Sequence, residues 1–184
     1  TDASTLEDTQ TTSGLVVTRN VADGAEVTHL KVLSVTHGSL YQNDGTTPAS
    51  SGSFITIAQA NAGLKFTPAT DFHGIAEVRL QASVQPGDAG LGGDIVTASI
   101  TVGPVADTPQ LSAATTLEDT QSNAGLVVTR HVDDGPEVTH FKIMSVSHGS
   151  LFLNDGVTPV AVDDGPEVTH FKIMSVTLGS LFLN

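Results

Sequence analysis

Apolar and polar residues alternate along the two clearest segments of the chain. Residues 76–82 (AEVRLQA) place apolar side chains on one parity and polar or charged ones on the other, and residues 96–102 (VTASITV) do the same. Because successive side chains on a β-strand point to opposite faces, this pattern predicts strands with one buried face. We expect the two strands to form a hairpin joined by the glycine-rich loop at residues 86–94.

Shorter strand candidates precede this hairpin and are separated by turn signals. Glycine follows Asp23, Asp44 and Ala62 at these turns, where it adopts a positive φ at little cost. No window shows a sustained helical period of apolar residues. The pattern predicts an all-β fold, an antiparallel sandwich of about seven strands. The remaining strand candidates are residues 15–19, 27–35, 39–42, 53–58 and 64–67.

The chain also repeats itself at a long spacing. Residues 5–10 (TLEDTQ) return at 116–121, 111 residues later, and residues 14–19 and 26–29 return in the same register. This period matches one β-sandwich domain of roughly 100 residues and exceeds the about 20–50 residues of solenoid repeats. Each copy is therefore expected to fold as a separate unit.

The second copy departs from the first beyond residue 154. Residues 132–154 are followed by a near duplicate at 162–184, 30 residues on, and these 184 residues hold no second counterpart of residues 54–102. Two interpretations stay open: the chain is a piece of a longer array, or the duplicated stretch supplies missing strands, within the chain or to a neighbour. The predicted domains are a sandwich (1–106), a linker (107–115) and an incomplete second copy (116–184).

One motif in the first copy resembles a known family. Residues 66–74 (FTPATDFHG), followed by an alternating strand, resemble the F-x-P-x-x-x-F-x-G signature of bacterial cadherin-like and VCBS-type tandem repeats. Residues 105–109 (VADTP) are similar to the linker of those repeats. The resemblance covers nearly all of residues 1–111 and the first part of the second copy. It implies an Ig-like or cadherin-like Greek-key sandwich, repeated in tandem, in large secreted adhesins and surface or matrix fibres.

The same resemblance implies calcium at the junction between repeats. In such arrays a linker aspartate and acidic residues of adjoining loops meet one ion, which points to Asp107, Glu118 and Asp119, with Asp71 or Asp88 as contributors. Ca²⁺ takes about 6–8 oxygen ligands, which carboxylates and loop carbonyls supply. The competing interpretation is that these side chains are solvated on a chain with a formal net charge of −13.

Composition narrows the function classes. The 20 acidic residues against 7 basic ones argue against nucleic acid and against anionic membrane surfaces as partners. No apolar run approaches the about 20 residues needed to cross a bilayer. The absence of cysteine removes disulfides and thiolate chemistry but is neutral on export. We expect the chain to be secreted, extracellular or at the cell surface.

No pattern of catalytic residues is present. The chain contains no G-x-S-x-G, H-E-x-x-H or Walker motif. His29, His140 and His170 each stand two residues before a lysine, and we expect both side chains on an exposed strand face. Together with the resemblance to cadherin-like repeats, which implies a structural module of an extracellular fibre that associates with copies of itself, this absence predicts that the chain is not an enzyme. The alternative is a carbohydrate-binding module for surface glycans, although the chain has one tyrosine and no tryptophan to stack on sugars.

Overall fold

Strands make up nearly all of the regular structure in the computed structural model. The structure describes residues 1–122, 124, 126–160, 162 and 180–183. The chain divides into two units, Thr1–Val105 and Ala106–Asn184, called unit 1 and unit 2 below. The described helical residues form one five-residue α-helix and one 3₁₀ turn. Neither is long and apolar enough to cross a membrane.

Unit 1 contains a five-stranded mixed sheet and a two-stranded sheet. In chain order its strands are β1 (Ala3–Leu6), β2 (His29–Val35), β3 (Gly38–Tyr41), β4 (Phe54–Thr56), β5 (Lys65–Pro68), β6 (Gly74–Ser83) and β7 (Leu91–Gly103). The large sheet has the order β1-β7-β6-β2-β4, and β3 pairs with β5. Every pair is antiparallel except β1 and β7, which run parallel. The prediction of an all-β fold is confirmed at this level.

The predicted closing hairpin is confirmed as β6 and β7. Along β6 the side chains of Ala76, Val78 and Leu80 are buried, as the alternation requires. Along β7, Ile100 is buried but Val96 is 50% exposed. Strand β1 pairs only with the last four residues of β7, so the earlier residues of β7, which include Val96, do not pair with β1. The connecting loop is shorter than predicted, because residues 91–94 already belong to β7 and a 3₁₀ turn spans Asp88–Gly90.

The predicted strand at residues 15–19 is wrong. Leu15 has a φ of +49°, a left-handed conformation that interrupts the extended backbone of a strand. Its side chain is nevertheless almost fully buried in the core, and its carbonyl accepts a hydrogen bond of 3.2 Å from the N–H of Leu64. The apolar pattern therefore identified a core segment but not its backbone conformation.

The predicted strand at residues 53–58 ends early, at Thr56, where helix α1 (Ile57–Asn61) begins. The Thr56 side chain accepts the backbone N–H of Gln59, and the Gln59 side chain accepts the backbone N–H of Thr56. This reciprocal capping box satisfies two donors that the first helical turn leaves open. Ile57 and Ala60 then point from the helix into the core.

The described residues of unit 2 form four short antiparallel strands. They are β8 (Gln110–Leu111), β9 (Leu126–Thr129), β10 (Leu151–Phe152) and β11 (Ser180–Leu183), in the order β10-β11-β9-β8. Strand β8 lies within the segment predicted as a linker. Residues 140–146, which correspond to β2, are not in a strand. Among residues 106–122, 124, 126–160 and 162, Leu151 is the one buried apolar side chain.

The same local hydrogen bonds form within each of the two units, at positions 111 residues apart. The Gln10 amide donates to the carbonyl of Gly45 at 3.0 Å, and Gln121 donates to Gly156 at 2.9 Å. Asp8 and Asp119 both have a φ of +55°. The two copies thus share backbone geometry as well as sequence. The other matched donors are Arg19 and Arg130, Gly24 and Gly135, Thr5 and Thr116, and Thr47 and Thr158.

Candidate functional site

Two of the acidic residues predicted to bind calcium lie at opposite ends of unit 1. Asp71 precedes the first residue of β6, and Asp88 follows its last residue. Ten residues of extended strand separate these ends by roughly 30 Å. Because β7 runs antiparallel to β6, Asp71 lies at the end where β7 ends, which we call the exit end. The two carboxylates therefore cannot bind the same ion.

The exit end of unit 1 gathers more acidic residues than the sequence predicted. Glu7 is 6% exposed, and its carboxylate accepts a hydrogen bond from the backbone N–H of Val105. Nδ1 of His73 lies 3.7 Å from Oε2 of Glu7. The backbone N–H of Asp71 donates to Oδ1 of Asp8 at 3.2 Å. These contacts tie the start of unit 1 to the turn before β6 and to the end of β7.

Asp88 has a different role at the opposite end. Its Oδ1 lies 2.5 Å from Nζ of Lys31, which also lies 5.6 Å from the centroid of the Phe54 ring. The Lys31 side chain is only 18% exposed, so the prediction of an exposed lysine at this position is wrong. The ring and the carboxylate both lie beside its ammonium group.

Asp107 lies in a cluster within unit 2. Nδ1 of His131 lies 3.8 Å from Oδ2 of Asp107 and 3.4 Å from Oδ2 of Asp133. The carboxylate of Asp134 accepts the backbone N–H of Asp107 at 3.0 Å and that of His131 at 3.1 Å. The aspartate of the predicted linker is thus held against the loop at residues 131–134.

Glu118 and Asp119 have exposed side chains in unit 2. Their counterparts in unit 1 are Glu7 and Asp8, of which Glu7 is buried. In unit 1, Glu7 contacts His73 and the backbone N–H of Val105. Among the described residues, the acidic pair makes these contacts in unit 1.

Sequence reasoning missed Glu7 and Asp8 as members of the candidate site. The available signal was the repeat itself, since these residues match Glu118 and Asp119. Their position at the exit end depends on β1 running parallel to β7, with Leu6 opposite Gly103. A parallel pairing of the first strand with the last is a tertiary feature that the alternation of residues does not express.

A second acidic feature occurs once in each unit. Asp44 accepts hydrogen bonds from the Thr47 hydroxyl at 2.5 Å and from the backbone N–H groups of Thr47 and Thr46 at 2.8 and 2.9 Å. These bonds, led by the hydroxyl, lower the pKa of Asp44 to about 2. The matching bonds from Thr158 lower the pKa of Asp155. Both carboxylates close a tight turn and stabilise it in the ionised form.

The contacts at these places are hydrogen bonds and ion pairs between groups of the protein itself. Among the described residues, no group of three or more His, Asp or Glu side chains is arranged to hold a metal ion. Phe66 is fully buried, and the rings of Tyr41, Phe54, Phe72, Phe141 and Phe152 are half-buried. His37 stacks on Phe72 with ring centroids 4.2 Å apart and planes 1° from parallel.

No family model matches the chain, and no match is found among the curated proteins or the solved structures. The resemblance to cadherin-like repeats therefore rests on the sequence motifs described above.

Proposed function

We propose that this chain is a structural repeat module of an extracellular bacterial surface or matrix fibre, without catalytic activity, that transmits tension along the fibre. The proposal includes the cadherin-like relationship, the tandem arrangement of sandwich units, and calcium binding by acidic residues at the ends of the units. The observation that carries it is the parallel pairing of the first and last strands of unit 1.

The register of this pairing determines how unit 1 responds to force. Ala3 to Leu6 lie opposite Ile100 to Gly103, and the N–H of Glu7 extends the ladder to the carbonyl of Gly103 at 2.9 Å. Tension on the chain pulls β1 towards its N-terminus and β7 towards its C-terminus. The cross-strand hydrogen bonds are then loaded in shear and must break together. This arrangement suits a module whose task is to resist extension.

The shared hydrogen bonds of the two units support the same proposal. A binding protein or enzyme needs one site, whereas a fibre module needs the same shape again along the chain. The turn closed by Asp44 and Thr47 in unit 1 is closed by Asp155 and Thr158 in unit 2. These contacts fix the same turn geometry in both units.

Single-molecule force spectroscopy on the full chain tests the proposal. With tethers at the two ends, we expect unit 1 to unfold in one step at high force, with a length gain of roughly 350 Å for about 100 residues. A chain carrying Thr70→Cys and Ala106→Cys is pulled instead from two points at the exit end, so β7 peels from β6 pair by pair. We expect a much lower force in this geometry, and equal forces in both would contradict the proposal.

A further inference from the structure

Strands β10 and β11 lie within two copies of one tetrapeptide. Residues 150–153 and 180–183 both read SLFL. The two copies pair antiparallel, with Leu151 opposite Leu183 and Phe152 opposite Phe182. The duplicated stretch therefore supplies a strand within the chain, which is one of the two interpretations left open by the sequence.

Strand β11 occupies the place that β5 has in unit 1. There, Leu40 lies opposite Phe66 and Tyr41 opposite Lys65. In unit 2 the counterparts of Leu40 and Tyr41, Leu151 and Phe152, lie opposite Leu183 and Phe182. On its other side, β11 pairs with β9. In unit 1 the backbone N–H of Leu64, just before β5, donates in the same way to the carbonyl of Leu15, which corresponds to the first residue of β9. We call this position between β9 and β10 the β11 slot.

The register between the two SLFL copies is self-complementary. The second residue of one copy lies opposite the fourth residue of the other, and the third lies opposite the third. Exchanging the two copies leaves this relationship unchanged. A pairing of this kind is therefore equally available to copies that belong to different molecules, as in interfaces between identical subunits.

We propose that the β11 slot of one molecule accepts the SLFL strand of a second copy of this chain, which links the molecules by strand exchange. Two backbone pairs on each side hold β11 in its own chain. The same pairs form with a strand from another molecule, so the balance between the two arrangements depends on protein concentration. The proposal rests on the fibre role proposed above, since it names the partner as a second copy of the chain.

Introduced cysteines test the exchange, because the chain has no cysteine of its own. Chains carrying Phe152→Cys and chains carrying Phe182→Cys are prepared with different masses, mixed, unfolded, refolded together and oxidised. We expect a disulfide between unlike chains, and little or none between like chains. Phe141→Cys replaces Phe152→Cys as the control, and its disulfide with Phe182→Cys should be lost because Phe141 is outside the slot.

Other outcomes overturn the proposal. If disulfides between unlike chains and between like chains formed in the ratio expected from random collisions, the contact would be non-specific. A Phe152→Cys, Phe182→Cys double variant that forms only an intrachain disulfide at every protein concentration would show that β11 stays in its own molecule.

Light scattering on chains without cysteine covers the case in which these variants fail to fold. The average mass of the unaltered chain should rise with protein concentration, whereas the Phe182→Pro chain should keep the mass of a monomer. Leu117→Ala removes an exposed apolar side chain outside the slot, and this variant should behave like the unaltered chain. Force spectroscopy on unit 1 does not depend on the slot. Failure of the exchange with a high unfolding force would leave the proposed function in place, whereas a low force would contradict that function alone.

Discussion

The carboxylate of Glu7 accepts a hydrogen bond from the backbone N–H of Val105, 98 residues later in the chain. This bond joins the segment after β1 to the segment after β7. Glu7 is almost completely buried, so its removal leaves polar groups in this region without a partner. We expect Glu7→Ala to lower the free energy of unfolding of unit 1 by about 1–3 kcal/mol, and Glu7→Gln, which keeps an acceptor oxygen, to lower it less.

The chain contains its own probe and its own control for this measurement. Tyr41 is the single tyrosine, there is no tryptophan, and Tyr41 lies in β3, so intrinsic fluorescence during urea unfolding reports unit 1. Glu118→Ala changes the matching glutamate in unit 2 and should leave this transition where it is. Equal effects of Glu7→Ala and Glu118→Ala would show that the contact with Val105 has no special importance.

Gly38 is required by the close approach of β3 to β5. A Cβ atom at this position would lie 2.3 Å from the carbonyl oxygen of Thr67 and 2.4 Å from the Phe66 ring. Neither atom can move freely, because Thr67 belongs to the paired strand and Phe66 is fully buried. We expect Gly38→Ala to destabilise unit 1 by about 1–3 kcal/mol, the usual cost of overpacking.

The matched control is Gly87→Ala, since a Cβ atom there meets nothing within 4 Å. The urea midpoint from Tyr41 fluorescence should fall for Gly38→Ala and stay nearly unchanged for Gly87→Ala. A Gly38→Ala chain as stable as the parent would mean that β3 and β5 separate easily.

The sequence predicted the parts of unit 1 whose structure is decided by one-sided burial. Strands β6 and β7 are long enough for alternation to show, and Val78 and Leu80 are buried as expected. Strand β1 was missed because its four residues lie at a sheet edge and alternate only between half-buried and exposed. Helix α1 was missed because five residues are too few to show a helical period, although the Thr56 and Gln59 capping pair was visible.

The candidate site could be predicted only as a set of residue types. The sequence identifies Asp71 and Asp88 as acidic turn residues, but their separation is decided by the length of β6 between them. It identifies Glu118 and Asp119 through the repeat, yet the contacts of their counterpart Glu7 with His73 and Val105 depend on how β1 pairs with β7. Strand order and pairing direction are tertiary properties, and they determine which carboxylates meet.

The Asp44 turn should make unit 1 sensitive to acid. The folded-state pKa of Asp44 is about 2, below its ordinary value of 3.8. A group with a lowered pKa stabilises the fold above its unfolded-state pKa, and this stabilisation is lost as the pH falls through the folded-state value. We expect Asp44→Asn to reduce stability at pH 6, and the difference from the unaltered chain to shrink between about pH 4 and pH 2.

Two variants separate this effect from general acid denaturation. Thr47→Val removes the hydroxyl that contributes most to the shift, so the pKa of Asp44, followed by NMR, should move up towards 3.8. Asp155→Asn changes the matching turn of unit 2 and should not alter the Tyr41 transition at any pH. A difference between Asp44→Asn and the unaltered chain that is constant from pH 6 to pH 2 would contradict the assignment.

The acidic residues at the exit end of unit 1 are predicted to bind calcium. Ca²⁺ prefers carboxylate oxygens, and Asp8 and Asp71 lie together at this end, whereas Asp88 lies at the other end beside Lys31. We expect Ca²⁺ to raise the melting temperature of unit 1, because an ion that binds only the folded state stabilises it. The rise should disappear in Asp8→Asn and persist in Asp88→Asn. Loss in Asp107→Asn and Glu118→Gln with retention in Asp8→Asn would place the ion with the residues predicted from the sequence, and no rise in the unaltered chain would rule out calcium as a stabiliser of this module.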